Sequence, residues 1–131
     1  MWQQKIKTVI IEDESAAQKA LQSYLQKYCP QVEIIGTAFN GTDGIELIKN
    51  TNPQLVFLDV EMPFANAFDV LDACKHINFQ TIFVTAFTQY AIQALNISAA
   101  YYLLKPVNIE ELIVAVNKVV ENLQQETYFN H

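Results

Sequence analysis

Four short polar signals stand where apolar runs stop. They are Ile-Glu-Asp-Glu (Glu12, Asp13, Glu14), Leu-Asp-Val-Glu-Met-Pro (Asp59, Glu61), Val-Thr-Ala (Thr85, Ala86) and Leu-Lys-Pro (Lys105, Pro106). If the runs are parallel strands, their carboxyl ends open on one crevice and the four signals meet there. Glu12, Asp13 and Asp59 then bring like charges together, which raises their pKa values unless a cation intervenes. A hard divalent ion with oxygen ligands resolves the conflict, and Mg²⁺, commonly held by one or two carboxylates with waters and a phosphate oxygen, fits best. Beside such an ion a carboxylate can act as a nucleophile toward phosphorus. Asp59 is the candidate, because it follows the most central run. Lys105 supplies a compact cation for a phosphate oxygen, and the Thr85 hydroxyl and Ala86 backbone N–H are donors for the others.

The elements that must position these residues can be read from periodicity. Lys5–Ile11, Val32–Phe39, Leu55–Leu58, Thr81–Val84 and Ala99–Leu104 are short runs rich in β-branched and aromatic residues, and predict strands. Between them lie helical patterns. One runs from a Ser15-Ala-Ala-Gln18 capping box to about Tyr28, with Ala17, Ala20, Leu21, Tyr24, Leu25 and Tyr28 on its inner face. Another carries Ile45, Leu47 and Ile48 and ends at Asn50-Thr51-Asn52-Pro53. Ala67–Ile77 and Gln89–Asn96 predict two more, and Asn108 caps a last helix with an apolar stripe from Ile109 to Leu123. The alternation predicts an α/β fold, a doubly wound five-stranded parallel sheet of flavodoxin-like (βα)5 type, strand order 2-1-3-4-5. Its switch point falls between the strands that precede Asp13 and Asp59. Residues 1–124 make the domain, and 125–131 a polar tail or the start of a linker.

Composition excludes other classes. The 131 residues are 51% hydrophobic and carry a formal charge of −6 with eight lysines and no arginine, which argues against direct nucleic-acid binding by this chain. Cys29 and Cys74 lack metal or redox spacing, so reduced thiols in a cytoplasmic protein are expected. No stretch reaches the length of an apolar membrane span, and neither His76 nor His131 has a partner suited to zinc.

Together these residues resemble the receiver domain of bacterial two-component response regulators, over nearly the whole chain. The resemblance implies that Asp59 accepts a phosphoryl group from a sensor histidine kinase. It implies Mg²⁺ held by Asp13, Asp59 and the backbone carbonyl of Glu61, with Glu12 reaching it through water. Thr85 is then the switch hydroxyl, Tyr102 the switch aromatic, and Lys105–Pro106 a cis peptide. The stretches Phe83–Leu95 and Ala100–Pro106 look like the subgroup whose output is a LytTR DNA-binding domain, so DNA would be met only through an output domain that this chain does not contain. Phosphorylation would switch the face of the fourth helix, fifth strand and fifth helix and favour a homodimer, with Tyr90, Ala91, Ala94, Leu95, Tyr101 and Leu103 forming the face. The chain would be a signalling acceptor rather than an enzyme, and Phe87, two residues beyond Thr85, would shield the phosphoryl group and slow its hydrolysis.

Receivers commonly carry Gly where this chain has Phe64 and Ala67, so either the loop after Asp59 takes another path or Ala67 is strained. A lone acidic residue at a strand end is more often a solvated cap; the conjunction of Asp13, Asp59, Thr85 and Lys105 is what points to chemistry. Two other readings remain. One is a receiver-like interaction module that is never phosphorylated. The other is a Mg²⁺ phosphatase resembling haloacid-dehalogenase enzymes, whose nucleophile spacing Asp59-Val-Glu61 imitates, though such enzymes carry it on their first strand.

Overall fold

The structure, a computed structural model, describes residues 5–129. Five strands alternate with five helices: β1 (Ile6–Ile11), α1 (Ser15–Tyr28), β2 (Val32–Ala38), α2 (Gly41–Thr51), β3 (Leu55–Leu58), α3 (Ala67–Ala73), β4 (Gln80–Thr85), α4 (Ala91–Asn96), β5 (Tyr101–Leu104) and α5 (Ile109–Phe129). All strand pairs are parallel, in the order β2-β1-β3-β4-β5. Every residue of β3 is buried, as a central strand covered on both faces must be. Alternate side chains feed two cores: Ile10, Phe57, Ile82 and Leu103 pack with Leu25, Leu112 and Val116 on the α1/α5 side, while Ile11, Leu58 and Phe83 pack with Ile48, Val70 and Ala94 on the other. No helix among the described residues is long and apolar enough to cross a membrane.

Local boundaries depart from expectation where backbone bonding overrides pattern. Ser15 does not cap α1: the N-cap is Glu14, without a side-chain cap bond. Gln18, expected to reach back to that cap, is buried instead, and its amide donates to the carbonyls of Glu12 (3.3 Å) and Ala38 (3.0 Å), tying the ends of β1 and β2. Ala20 and Tyr28, expected inward, are exposed. Helix α3 ends four residues early because its chain tightens into three-residue turns, Lys75 N–H to Asp72 O (3.4 Å) and Ile77 N–H to Cys74 O (2.9 Å). Helix α4 begins at Ala91 after a turn closed by Ala91 N–H to Thr88 O (3.2 Å). Helix α5 runs past Leu123 through residues expected to form a tail. Polar bonds take over there from the apolar stripe: Asn122 donates to Gln80 (2.8 Å) and Asn78 to Glu126 (3.4 Å). The Asn108 cap is as expected, accepting from Glu111 N–H at 3.0 Å.

Candidate functional site

Strand register delivers the polar signals to one place. Asp59, directly after β3, donates its N–H to the Ile11 carbonyl (3.1 Å), and Lys105, directly after β5, donates its own to the Thr85 carbonyl (2.9 Å). The Lys105 ammonium then lies 2.6 Å from Glu12 Oε1, 3.0 Å from Asp59 Oδ2 and 3.1 Å from Glu14 Oε1. The side chains of Glu12, Asp59 and Lys105 are only 5, 7 and 16% exposed, so the charges meet where water screens them weakly. Asp59 Oδ1 accepts from Val60 N–H at 2.7 Å, and Glu12 Oε2 from Glu14 N–H at 3.1 Å. Burial pushes the Glu12 carboxyl up to about 7 against the pull of Lys105. Burial alone would lower the Lys105 pKa, but the hydrogen bonds it donates to Glu12 and Asp59 outweigh it and raise the ammonium above its ordinary range.

The carboxylate oxygens that converge within 4.8 Å belong to Glu12, Glu14 and Asp59. Asp13 is half-buried and is not one of them. Glu14 enters as the N-cap of α1, a place that sequence pattern reads as helix start rather than pocket wall. The donor set is all oxygen, and three carboxylates against one ammonium leave a local charge of −2 when all are ionised, which suits a hard divalent cation such as Mg²⁺.

Thr85 is fully buried, its hydroxyl accepting from Phe87 N–H at 3.4 Å, and Ala86 is exposed. The half-buried Tyr102 donates its hydroxyl to the Phe87 carbonyl and sets its ring edge-on to Phe83 at 5.8 Å. Burial, and then the Asp59 charge, raise the Tyr102 phenol pKa. The Lys105–Pro106 peptide is cis, as expected.

The loop after Asp59 closes on itself through Ala67 N–H to Val60 O (2.9 Å). Its positive backbone angle falls on Phe64 (φ 73), at the exposed tip, rather than on Ala67, which is the buried first residue of α3. Asn66 and Asp69 form a reciprocal capping box there, at 2.9 and 3.0 Å. Helix α2 reaches under the loop at Gly41, where a Cβ would lie 2.1 Å from the Ala65 carbonyl oxygen. From the far side of the pocket, Tyr90 donates its hydroxyl to Glu61 Oε2 at 2.8 Å, and that bond raises the phenol pKa.

A five-stranded 2-1-3-4-5 sheet with a buried Asp at its switch point, met by the ammonium of a Lys that follows the edge strand, defines a class, and comparison with known proteins agrees. The response regulator receiver domain family matches residues 8–117. An uncharacterized response regulatory protein of Vibrio cholerae is 34% identical over 124 residues, covering 94% of this chain and 52% of its own length. The sensory transduction protein LytT of Bacillus cereus is 31% identical over 128 residues, covering 96% and 52%. The REC domain of AraT, a response regulator from Geobacillus stearothermophilus, superposes with a TM-score of 0.85 at 25% identity, over 93% of this chain and 98% of that one. The chain belongs to the response regulator receiver domain family of two-component systems. LytT among its relatives agrees with the LytTR resemblance. The chain spans about half the length of the curated relatives it matches.

Proposed function

We propose that Asp59 is the phosphoryl acceptor of this receiver. The observation that carries the proposal is a nearly buried Asp59 carboxylate facing the Lys105 ammonium at 3.0 Å within an acidic cluster. In the transfer, an Asp59 carboxylate oxygen bonds to the phosphorus of a phosphohistidine on a sensor kinase. The P–N bond breaks, and its electron pair stays on the imidazole nitrogen. Lys105, the Thr85 hydroxyl and the Ala86 N–H hold the three phosphoryl oxygens. Asp13, Asp59, the Glu61 backbone carbonyl and, through water, Glu12 would hold Mg²⁺, which supplies positive charge against the phosphoryl oxygens. Glu14 joins that acidic wall.

Phosphorylation adds nearly two negative charges and three acceptors. Thr85 turns toward them, and Tyr102 gives up its bond to the Phe87 carbonyl and moves inward, changing the α4–β5–α5 face. Ala94 and Leu103 are buried and belong to the core, so on this reading the outward face is built from Ile92 (76% exposed), Leu95 (73%), Leu104 (47%) and the partly exposed Tyr101. That face pairs two copies, and with them the LytTR output domains of a longer protein, outside the receiver proper (residues 1–124). Residues 125–131 would lead toward that output, with α5 continuing helical as far as Phe129.

Incubation with acetyl phosphate and Mg²⁺ tests the assignment. Wild type gains hydroxylamine-labile phosphate and Asp59→Asn gains none. An Asp59→Asn variant that labels like wild type would overturn the acceptor, and an unlabelled wild type would favour a phosphorylation-independent module.

A further inference from the structure

The two loops that flank Asp59 are joined by a hydrogen bond that the transfer chemistry does not use. Glu61 stands two residues beyond Asp59 on the β3–α3 loop. Tyr90 stands five beyond Thr85 on the β4–α4 loop. Strands β3 and β4 are neighbours, with Leu58 in register with Phe83, so their loops leave the sheet side by side and bound the approach to Asp59. The Tyr90 hydroxyl crosses between them to Glu61 Oε2 at 2.8 Å.

The Tyr90 end of this link is held by packing, while Glu61 is exposed. The Tyr90 ring packs against Phe68 of α3 (centroids 6.0 Å apart) and edge-on to Phe87 (6.2 Å). Phe87 is itself pinned by its carbonyl, which accepts from Tyr102. A phenol placed by two neighbouring rings loses little further freedom when it bonds, so the link forms at low entropic cost. The link is exposed to solvent, whereas the Lys105 side chain beside Asp59 is largely enclosed.

Resting on the phosphoacceptor reading, we propose that Tyr90 and Glu61 form a strap across the mouth of the pocket that limits the passage of small phosphodonors to Asp59 and of water to the acyl phosphate. Tyr90 is thus a positioning residue. It acts through Glu61, touches no reacting atom, and sets the lifetime of the signal together with the bulk of Phe87. Phe87, which supports the ring from the β4–α4 loop, also links the strap to Tyr102, so rotation of Tyr102 on activation would loosen the Phe87 support and with it the strap.

The test is a double-mutant cycle in rate. Tyr90→Phe keeps the ring packing and removes only the hydroxyl; Glu61→Ala removes the acceptor. Labelling with acetyl phosphate and Mg²⁺, and loss of label after the donor is removed, should each quicken about fivefold in either variant, what a hydrogen bond of about 1 kcal/mol is worth in rate. The double variant should be no faster than either single one, because both remove the same link. Thermal midpoints of Tyr90→Phe and wild type should agree, since the hydroxyl is at the surface. Wild-type rates in Tyr90→Phe, or effects that multiply in the double variant, would overturn the strap while leaving the acceptor standing. A wild type that takes no label overturns the acceptor reading and the strap with it.

Discussion

A buried carboxylate loses several kcal/mol of hydration unless a cation replaces the water, and at Glu12 and Asp59 that cation is Lys105. Lys105→Ala should therefore lower stability by about 2–3 kcal/mol in EDTA at pH 8, less than a fully buried pair because the ammonium keeps some solvent contact. Added Mg²⁺ should restore more stability to that variant than to wild type. Urea unfolding with and without Mg²⁺ measures both, and an unchanged midpoint in EDTA would contradict the role. Phe64 carries the opposite kind of cost: a bulky residue at φ 73 with 85% of its surface exposed gains little packing for its strain. Phe64→Gly should stabilise by about 0.5–1 kcal/mol, the left-handed penalty less the extra freedom of glycine in the unfolded chain; a lower urea midpoint would contradict it. Asp59, Thr85 and Lys105 were legible because each is a polar type that interrupts an apolar run. Glu14 and Gln18 were not, because a cap position and a helical period say nothing about where a long side chain ends.

The elements hold the pocket mainly by close approach. Gly41 lets the start of α2 sit against the Ala65 carbonyl, and the loop it supports carries Phe64 and leads into α3. Gly41→Ala would force that backbone aside and should cost about 1–3 kcal/mol, an overpacking effect. It should also slow labelling of Asp59 by displacing the loop at its side. Equal stability and labelling in Gly41→Ala would show that the loop is not held there. The βα alternation and the buried centre were readable from four-residue strands without a polar side chain, such as β3. The ends of α3, α4 and α5 were not, since they are decided by local turns and by Asn78, Gln80, Asn122 and Glu126, whose pairing depends on tertiary contact.

As a whole the molecule has a cluster of charge at the carboxyl ends of its strands and an apolar face on α4 and β5, where Ile92, Leu95 and Leu104 are exposed. With a net charge of −6, two copies repel, and the gain of further negative charge must be outweighed by apolar burial for them to pair. Gel filtration with beryllofluoride and Mg²⁺ should show a shift toward dimer that Leu95→Glu abolishes; an unchanged elution volume would remove pairing as the response. The family was legible from the four signals together, whereas the composition of the exposed face was not: Leu103 of β5 and Ala94 of α4 are both buried in the core. All of this depends on the chemistry at one carboxylate. The most direct measurement is phosphate incorporation from acetyl phosphate in Mg²⁺, comparing wild type with Asp59→Asn: one labile phosphate on the former and none on the latter is the expected result, and equal labelling of both would contradict it.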